Sequence, residues 1–267
     1  MIPRADIVQW REFAPWISDA QVEQDLIISR LLIEFYQDEL IREKLLFRGG
    51  TALHKIHLSP AVRYSEDLDF VQRDAEGIGA VLSDIKKICR PLFGKPRTRQ
   101  KEDSVILTYL STSEIPPSIP LRIKVEVNTR EHNAVFPIEH KPYEIDSRWF
   151  AGRCRLETYS LEELLATKLR ALYQRKKGRD LFDLWFGLTK GKADPGRIVQ
   201  AFRLYLAGQR LDIPNIPKAQ FRKNLILKIA DAHFLNDTQP LLRPDVLYSP
   251  LDAARLVDET LIELLEG

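Results

Sequence analysis

Two aspartates one residue apart give the strongest indication of chemistry in this sequence. Asp67 and Asp69 belong to the run Asp67-Leu68-Asp69-Phe70-Val71, whose alternation predicts a strand with both carboxylates on one face. Like charges in this arrangement repel each other. A divalent cation removes that repulsion, and carboxylates at this spacing bind Mg²⁺ together with substrate phosphates. The pattern favours a metal-dependent phosphate chemistry; the alternative is a solvated acidic edge strand.

A glycine turn precedes the aspartate pair. The apolar run at residues 45–48 reads as a short strand that breaks at Gly49-Gly50, and we expect the Thr51 hydroxyl to cap the helix that follows. Glycines let a backbone approach a ligand closely, and the free N–H groups of a helix start favour phosphate. Glycine pairs also form ordinary turns, so the prediction of phosphate binding here depends on the aspartates that follow.

A neighbouring strand offers a third acid. Residues 104–110 and 121–128 read as strands joined by a proline-rich connection. In the second strand, Arg122, Lys124, Glu126 and Asn128 share one face. If this strand lies beside the aspartate pair, Glu126 supplies a third carboxylate. The alternative is a cross-strand ion pair in which Lys124 or Arg122 neutralises Glu126.

A cation within an apolar helix face is the next feature. Ser160 and Glu163 predict a capping box that opens a helix through about residue 176. At about 100° per residue, Lys168 and Arg175 fall inside its apolar stripe, where a charge is costly without a partner. Triphosphate is one such partner. The alternative is a lysine whose stem lies along the helix edge.

Two further acids follow Gly178, which ends that helix. Asp180 and Asp183 lie one turn apart at the start of the next helix. They either stabilise the helix start or anchor Lys168 and Arg175 in a charge network.

Both groups of residues resemble one known family. Gly49-Gly50-Thr51-Ala52-Leu53 and Arg63-Tyr64-Ser65-Glu66-Asp67-Leu68-Asp69-Phe70 resemble the first motif of the AbiEii-type nucleotidyltransferase toxins of type IV toxin–antitoxin systems. The segment 168–172, with Arg175 and residues 179–184, resembles the later motif of that family. The resemblance covers roughly residues 47–184. The long spacing from glycines to aspartates is similar to that of the toxins, and longer than in polymerases or nucleotide-adding repair enzymes.

The resemblance implies an α/β (α+β) fold with two lobes. A nucleotidyltransferase-like mixed-sheet lobe with an N-terminal helix would comprise residues 1–155. A helical C-terminal lobe, residues 156–267, would complete the nucleotide cleft. The implied enzyme uses Mg²⁺ to transfer nucleotides from a nucleoside triphosphate (NTP) onto RNA, with tRNA as the expected acceptor, and is neutralised by a cognate antitoxin.

Site roles follow from the residues and the resemblance together. We expect the catalytic residues to be Asp67, Asp69, Lys168 and Asp180. We expect the metal ligands to be Asp67, Asp69 and Glu126. We expect the substrate-binding residues to be Gly49, Gly50, Thr51, Arg63, Ser65, Arg175 and Asp183.

Two other function classes are compatible with these residues. A binding module would hold nucleotide or RNA without turnover. Against this reading, paired carboxylates disfavour phosphate binding unless a metal ion is present. A second enzyme class would transfer to a protein hydroxyl, as a nucleotidylating or kinase-like enzyme. The sequence leaves the choice of acceptor open.

Composition and charge indicate a soluble globular chain. Its 267 residues are 44% hydrophobic and 29% charged, enough for one large domain or two small ones. The net charge of +2 does not indicate a nucleic-acid binder, so any such surface must be local. Lys95, Arg97, Arg99 and Lys101 alternate and could form such a basic ridge. A solvated edge strand explains the same pattern.

The remaining features predict location and helices. Cys89 and Cys154 indicate neither a disulfide framework nor a zinc site, which favours a reducing cytoplasm. Residues 1–16 show no signal-peptide pattern, and no later segment is typical of a membrane span. Residues 18–44 read as one long helix with a Ser18/Gln21 capping box, whose role we expect to be packing alone. Helices are also expected at residues 77–88, from Asp194-Pro195, at 218–232 and from Ser249-Pro250.

Overall fold

The computed structural model describes residues 2–207 and 216–266. The chain divides into two compact units. Unit 1 comprises Met1–Ala134 and Ile138–Tyr159, and unit 2 comprises Val135–Pro137 and Ser160–Gly267. Within the described part, no helix is long and apolar enough to cross a membrane.

Unit 1 is built on a seven-stranded mixed sheet, which confirms the predicted α/β fold class. The strands are β1 (Leu45–Arg48), β2 (Asp67–Gln72), β3 (Arg97–Gln100), β4 (Ser104–Thr112), β5 (Pro120–Asn128), β6 (Glu139–Asp146) and β7 (Ala151–Thr158). Their spatial order is β3-β4-β5-β2-β1-β7-β6. The β2–β5 and β1–β7 pairs are parallel and the other pairs are antiparallel. The central strand β2 therefore lies between β1 and β5.

Helices accompany this sheet. They are α1 (Arg4–Trp10), α2 (Asp19–Gln37), α3 (Glu39–Lys44), α4 (Gly49–Ala52), which continues as a π-helical turn at Leu53–His57, and α5 (Gly79–Phe93). The core forms where α2 packs on one face of the sheet. The ring of Phe70 lies 6.0 Å from that of Phe35, 6.4 Å from Tyr36 and 5.4 Å from Phe47, measured between centroids. Leu68 and Phe70 therefore face the core, and Asp67 and Asp69 lie on the opposite face.

Two predicted helices of unit 1 have other bounds in the structure. The Ser18/Gln21 capping box is present, but the single long helix is wrong because the chain is extended at Asp38. The Asp38 carboxylate accepts a hydrogen bond from the Ile41 N–H at 3.0 Å and caps a separate helix, α3. The helix predicted at residues 77–88 begins two residues later and continues to Phe93, with Pro91 inside it.

The described part of unit 2 is helical. Its helices are α6 (Leu161–Gln174), α7 (Gly178–Thr189), α8 (Pro195–Ala207), α9 (Lys218–Ile229), α10 (Ala232–Asn236) and α11 (Pro250–Val257), with a 3₁₀ turn at Gln239–Leu241 and a π-helical turn at Asp258–Ile262. The segment predicted as one helix at residues 218–232 is divided between α9 and α10. The Asp231 carboxylate caps α10 by accepting from the Phe234 N–H.

The predicted Ser160/Glu163 capping box is half formed. The Ser160 hydroxyl accepts from the Glu163 N–H at 3.3 Å. The Glu163 carboxylate instead accepts from the N–H groups of Val135 and Phe136, at 2.8 and 2.9 Å, and from the Tyr205 hydroxyl at 2.7 Å. These bonds hold residues 135–137 within unit 2.

Candidate active site

Pairing of the central strands places charged side chains in two rows on the face opposite the core. Arg48 on β1 is opposite Asp69 on β2, and Asp69 is opposite Glu126 on β5. In the next row, Asp67 is opposite Lys124. Residues paired across neighbouring strands project to the same face. Unit 1 thus brings three acids and two cations onto one face, which we call the acidic face.

Asp69 occupies the most constrained position on this face. Gly49 has a positive φ of 83°, and a Cβ added there would lie 2.4 Å from Asp69 Oδ2. Gly49 therefore allows the backbone to approach this carboxylate. Burial, followed by repulsion from Asp67, raises the pKa of Asp69 to about 6, although Lys124 and Arg48 oppose the rise.

Lys124 provides the nearest positive charge on β5. Its Nζ lies 3.2 Å from Asp67 Oδ2 and 2.8 Å from Glu126 Oε2. Burial lowers the pKa of Lys124, but attraction to Asp67 and Asp69 outweighs it and leaves the pKa above its usual value. The ammonium is thus held between two of the three acids.

The third predicted metal ligand, Glu126, lies beside Asp69 but is already well partnered. Its carboxylate accepts from the Ser104 hydroxyl at 3.0 Å and lies 3.4 Å from Lys101 Nζ, in addition to its contact with Lys124. Burial raises the pKa of Glu126, but the hydrogen bond and charge of Lys124 lower it below its usual value. Glu126 is therefore neutralised by protein groups, unlike Asp69.

Arg48 completes the row on its other side. Its guanidinium donates to Glu131 Oε2 at 2.8 Å, and its charge acts on Asp69. Arg48 precedes the glycine turn directly, so the backbone that forms the turn also places this cation next to the carboxylate.

The second glycine and the polar residues after it are tied to each other. A Cβ added to Gly50 would lie 2.6 Å from an Arg63 guanidinium nitrogen and 2.8 Å from Ser65 Oγ. Arg63 is buried and donates to the Tyr64 carbonyl at 2.9 Å. Gly50 thus leaves room for the side chains of Arg63 and Ser65, and its contact with substrate stays a prediction.

The prediction that Thr51 caps the following helix is wrong. Helix α4 begins at Gly49 with Arg48 as its N-cap residue, and no side chain caps it. The Thr51 hydroxyl donates to the Asp67 carbonyl at 2.6 Å and lies 3.0 Å from Ser65 Oγ. It therefore fixes the glycine turn to the first residue of β2.

A buried polar cluster anchors the helical segment after the turn. Lys55 Nζ lies 2.8 Å from Asp25 Oδ1 on α2, and the same carboxylate accepts from the indole N–H groups of Trp10 and Trp16. Helix α2, for which the sequence suggested packing alone, thus also holds the glycine-turn segment through a paired charge.

The predicted charge network of unit 2 is assembled within that unit. Lys168 is buried, and its Nζ lies 2.8 Å from Asp183 Oδ2 and 3.4 Å from Asp180 Oδ1. Both aspartates are fully buried. Arg175 Nε and one terminal nitrogen donate to the two oxygens of Asp180 at 2.7 and 2.8 Å. This fork geometry is the strong form of an arginine–carboxylate pair.

The network has one well-exposed member. The Arg175 side chain is 54% exposed, whereas that of Lys168 is 8% exposed. Any ligand of this network therefore meets Arg175 more readily than Lys168.

Acids paired on one face of a mixed sheet, beside a glycine turn, are the arrangement of a nucleotidyltransferase. A family model described as "Nucleotidyl transferase AbiEii toxin, Type IV TA system" matches residues 30–257. The chain belongs to this family and is a nucleotidyltransferase toxin, as its motifs predicted. Membership implies an NTP substrate and an antitoxin partner.

Solved structures share the fold. This chain is similar to MenT4, a nucleotidyltransferase toxin from Mycobacterium tuberculosis H37Rv, with a TM-score of 0.72 and 20% identity, covering 100% of this chain and 91% of that one. It is also similar to JHP933 from Helicobacter pylori, with a TM-score of 0.54, 17% identity and 92% of each chain covered. At these identities the similarity concerns the fold alone. No curated protein matches the sequence.

Sequence reasoning missed two cations of the acidic face. In the sequence Arg48 ends an apolar run, and the pattern around residue 126 predicts Lys124 only as a partner of Glu126. The alternation of β5 carried a signal for Lys124, since residues 124 and 126 share a face. The signal for Arg48 required the β1–β2 register.

Proposed function

We propose that this chain transfers a nucleotide from an NTP onto an RNA acceptor, with Mg²⁺ at Asp67 and Asp69 and with tRNA as the acceptor. One observation carries the proposal. Asp69 is held against Gly49 and beside Asp67, and its pKa is raised to about 6. A carboxylate destabilised in this way favours a bound cation.

The chemistry of the donor set fits Mg²⁺. Asp67 and Asp69 offer hard oxygen ligands, and Mg²⁺ typically binds one or two carboxylates together with substrate phosphates. Among residues 2–207 and 216–266, no three His, Cys, Asp or Glu side chains form a group that could hold a metal ion. Triphosphate oxygens would therefore supply further ligands. Bound there, the cation would neutralise charge on the reacting phosphate.

The reaction joins the acceptor oxygen to the α-phosphorus of the NTP. The bond from that phosphorus to the oxygen bridging the β-phosphate breaks, pyrophosphate leaves and the hydroxyl proton passes to water. Lys124 and Arg48 border the two aspartates, and we assign them to limiting the negative charge around the phosphate. Glu126 would hold Lys124 in place.

In unit 2 we assign direct triphosphate contact to Arg175. Its guanidinium is more exposed than the Lys168 ammonium and carries the geometry suited to phosphate. Lys168 would act by neutralising Asp180 and Asp183, so that Asp180 holds Arg175 in a fixed orientation. This assignment changes the role of Lys168 from phosphate ligand to positioning residue.

The test is a labelling experiment. Purified protein is incubated with Mg²⁺ and each labelled NTP in turn, with total tRNA and a protein extract present together. Label on RNA in a wild-type reaction, absent from an Asp69→Asn reaction, is the expected result. Asp146→Asn is the matched control, because Asp146 is exposed at the end of β6 and the change removes the same charge.

Each other outcome has a distinct meaning. Label on protein would replace the RNA acceptor with a protein hydroxyl. Binding of NTP without label on any acceptor would indicate a binding module. Equal labelling by Asp69→Asn and wild type would refute the metal role of Asp69.

Neutralisation is tested in cells. We expect growth arrest on expression of the wild type, none with Asp69→Asn, and relief when a cognate antitoxin is co-expressed. Persistent arrest in the presence of an antitoxin that binds the toxin would contradict neutralisation by direct contact.

A further inference from the structure

One edge of the sheet in unit 1 carries a concentration of positive charge. Residues 79–101 contain seven Lys or Arg residues and a single acidic residue, Asp84, although the whole chain has a net charge of only +2. Six of the seven form no ion pair within the described residues. They are Lys86, Lys87, Arg90, Lys95, Arg97 and Arg99, and we call them the cationic edge. Lys101, the seventh, contacts Glu126.

Arg97 and Arg99, the two arginines on β3, lie on the acidic face. Arg99 on β3 pairs with Ile106 on β4, and Ile106 pairs with Glu126 on β5. Glu126 in turn pairs with Asp69 on β2. The register therefore places Arg99 in the same row as the acids. Arg97 is in the row of Lys124 and Asp67 through Thr108. All four residues of β3 are exposed.

The other cations lie on the far side of the same strand. Thr98 faces away from Arg97 and Arg99, and with Lys86, Lys87, Arg90 and Lys95 it lines a groove of about 510 Å³ between α5 and β3. The ring of Phe93 packs 5.7 Å from Tyr109 and fixes the end of α5 to the core side of the sheet. Cations thus flank β3 on both of its faces.

We propose that the cationic edge binds the phosphate backbone of the RNA acceptor, which crosses β3 from the α5 groove to the acidic face. This inference rests on the proposed RNA acceptor. Unpaired cations on an exposed surface favour a polyanion, because phosphate contacts release counterions. At about 4.8 Å between strands, β3 is about 14 Å from β2, a distance that a few nucleotides span.

The row geometry favours a nucleic-acid strand over an anionic bilayer. A bilayer would meet the edge as a flat surface, and a basic surface helix that binds a bilayer also presents apolar side chains. The cationic edge instead combines a groove with two arginines directed along the rows of the acids. Along a strand, residues two apart are about 6.6 Å apart, comparable with the separation of neighbouring phosphates in a nucleic-acid strand.

The test measures binding of total tRNA as a function of salt. In Arg97→Gln/Arg99→Gln we expect the slope of log K against log salt to flatten by about 1.4, at about 0.7 for each lost phosphate contact of a single strand. In Lys86→Gln/Lys87→Gln/Arg90→Gln we expect a flattening of about 2 on the same basis. Binding of NTP, followed by its effect on melting temperature, should remain unchanged in both.

The chain contains a matched control. Arg153 and Arg155 also form an Arg-x-Arg pair in a strand. Both are exposed, and they lie on β7, which four strands separate from β3. Arg153→Gln/Arg155→Gln removes the same charge with the same spacing. We expect it to retain the wild-type salt slope.

Three results would overturn the inference. They are a wild-type slope in both edge variants, an equal flattening in the Arg153/Arg155 control, and a loss of binding to anionic phospholipid vesicles with no loss of tRNA binding. Failure of the proposed function has a different sign: in the labelling experiment, the wild-type protein would transfer no label to RNA. Labelled RNA with unchanged slopes would reject the cationic edge and leave the proposed function standing.

Discussion

Replacing Asp69 by asparagine should abolish transfer and stabilise the metal-free protein at neutral pH. The substitution keeps the shape of the side chain while removing a charge that burial and Asp67 disfavour. An acid whose pKa is higher in the folded than in the unfolded state binds its proton more tightly when folded. The folded wild type therefore loses stability as pH rises from about 4 to about 6.

The magnitude follows from the rise in pKa from 3.8 to about 6. At about 1.4 kcal/mol for each tenfold change in proton affinity, the charged carboxylate destabilises the fold by at most about 3 kcal/mol. Water that reaches the incompletely buried side chain reduces this figure. We therefore expect Asp69→Asn to be about 1–3 kcal/mol more stable than wild type at pH 8 and equal to it below pH 4.

The assay is urea unfolding of both proteins across pH 4–8, with and without Mg²⁺. Added Mg²⁺ should stabilise the wild type and leave Asp69→Asn unchanged. Asp146→Asn controls for loss of one negative charge and should follow the wild type. A stability difference between Asp69→Asn and wild type that does not grow with pH would refute the proposed destabilisation of the charged Asp69 carboxylate.

Three further predictions concern other contacts within each unit. Lys168→Met should lower the free energy of unfolding by about 3–5 kcal/mol, because it leaves the buried carboxylates of Asp180 and Asp183 without their shared ammonium. Lys190→Met, at an exposed lysine, is the control. Equal stability of the two variants in urea unfolding would show that the contacts of Lys168 with the two aspartates do not stabilise the fold. Gly50→Ala should lower the free energy of unfolding by about 1–3 kcal/mol, since its Cβ would collide with Arg63 and Ser65. Gly77→Ala is the control, because a Cβ there meets no atom within 4 Å. Equal melting temperatures of the two variants would contradict close packing around Gly50. Without metal, Lys124→Met should melt at a lower temperature than wild type, because Asp67 and Glu126 lose their internal cation. Its melting temperature should rise more than that of wild type when Mg²⁺ is added. A rise no larger than that of wild type would show that Lys124 does not act at the metal site.

The local features of the fold were readable from the sequence. The alternation of residues 67–71 gave the face shared by the two aspartates, and the spacing of residues 18 and 21 gave the start of α2. Both depend on neighbours in the chain. The sequence pattern does not indicate the break at Asp38, because apolar residues continue on both sides of this capping residue.

Features set by distant partners were not readable. Thr51 matches the pattern of a capping residue, but its hydroxyl binds Asp67, a residue of another strand. Glu163 matches the capping box, but its carboxylate binds backbone groups nearly thirty residues earlier. In the same way, Arg48 and Lys124 join the acidic face only through the pairing of β1 and β5 with β2.

The bonds of Glu163 also determine how this protein can be cut into fragments. The chain passes from unit 1 to unit 2 at residue 135, returns at 138 and passes again at 160. A fragment that begins at residue 160 would lack the two N–H groups that Glu163 accepts from, leaving a fully buried carboxylate with fewer partners. Expression of the helical part by itself would therefore need residues 135–137 supplied by a linker or a circular permutation.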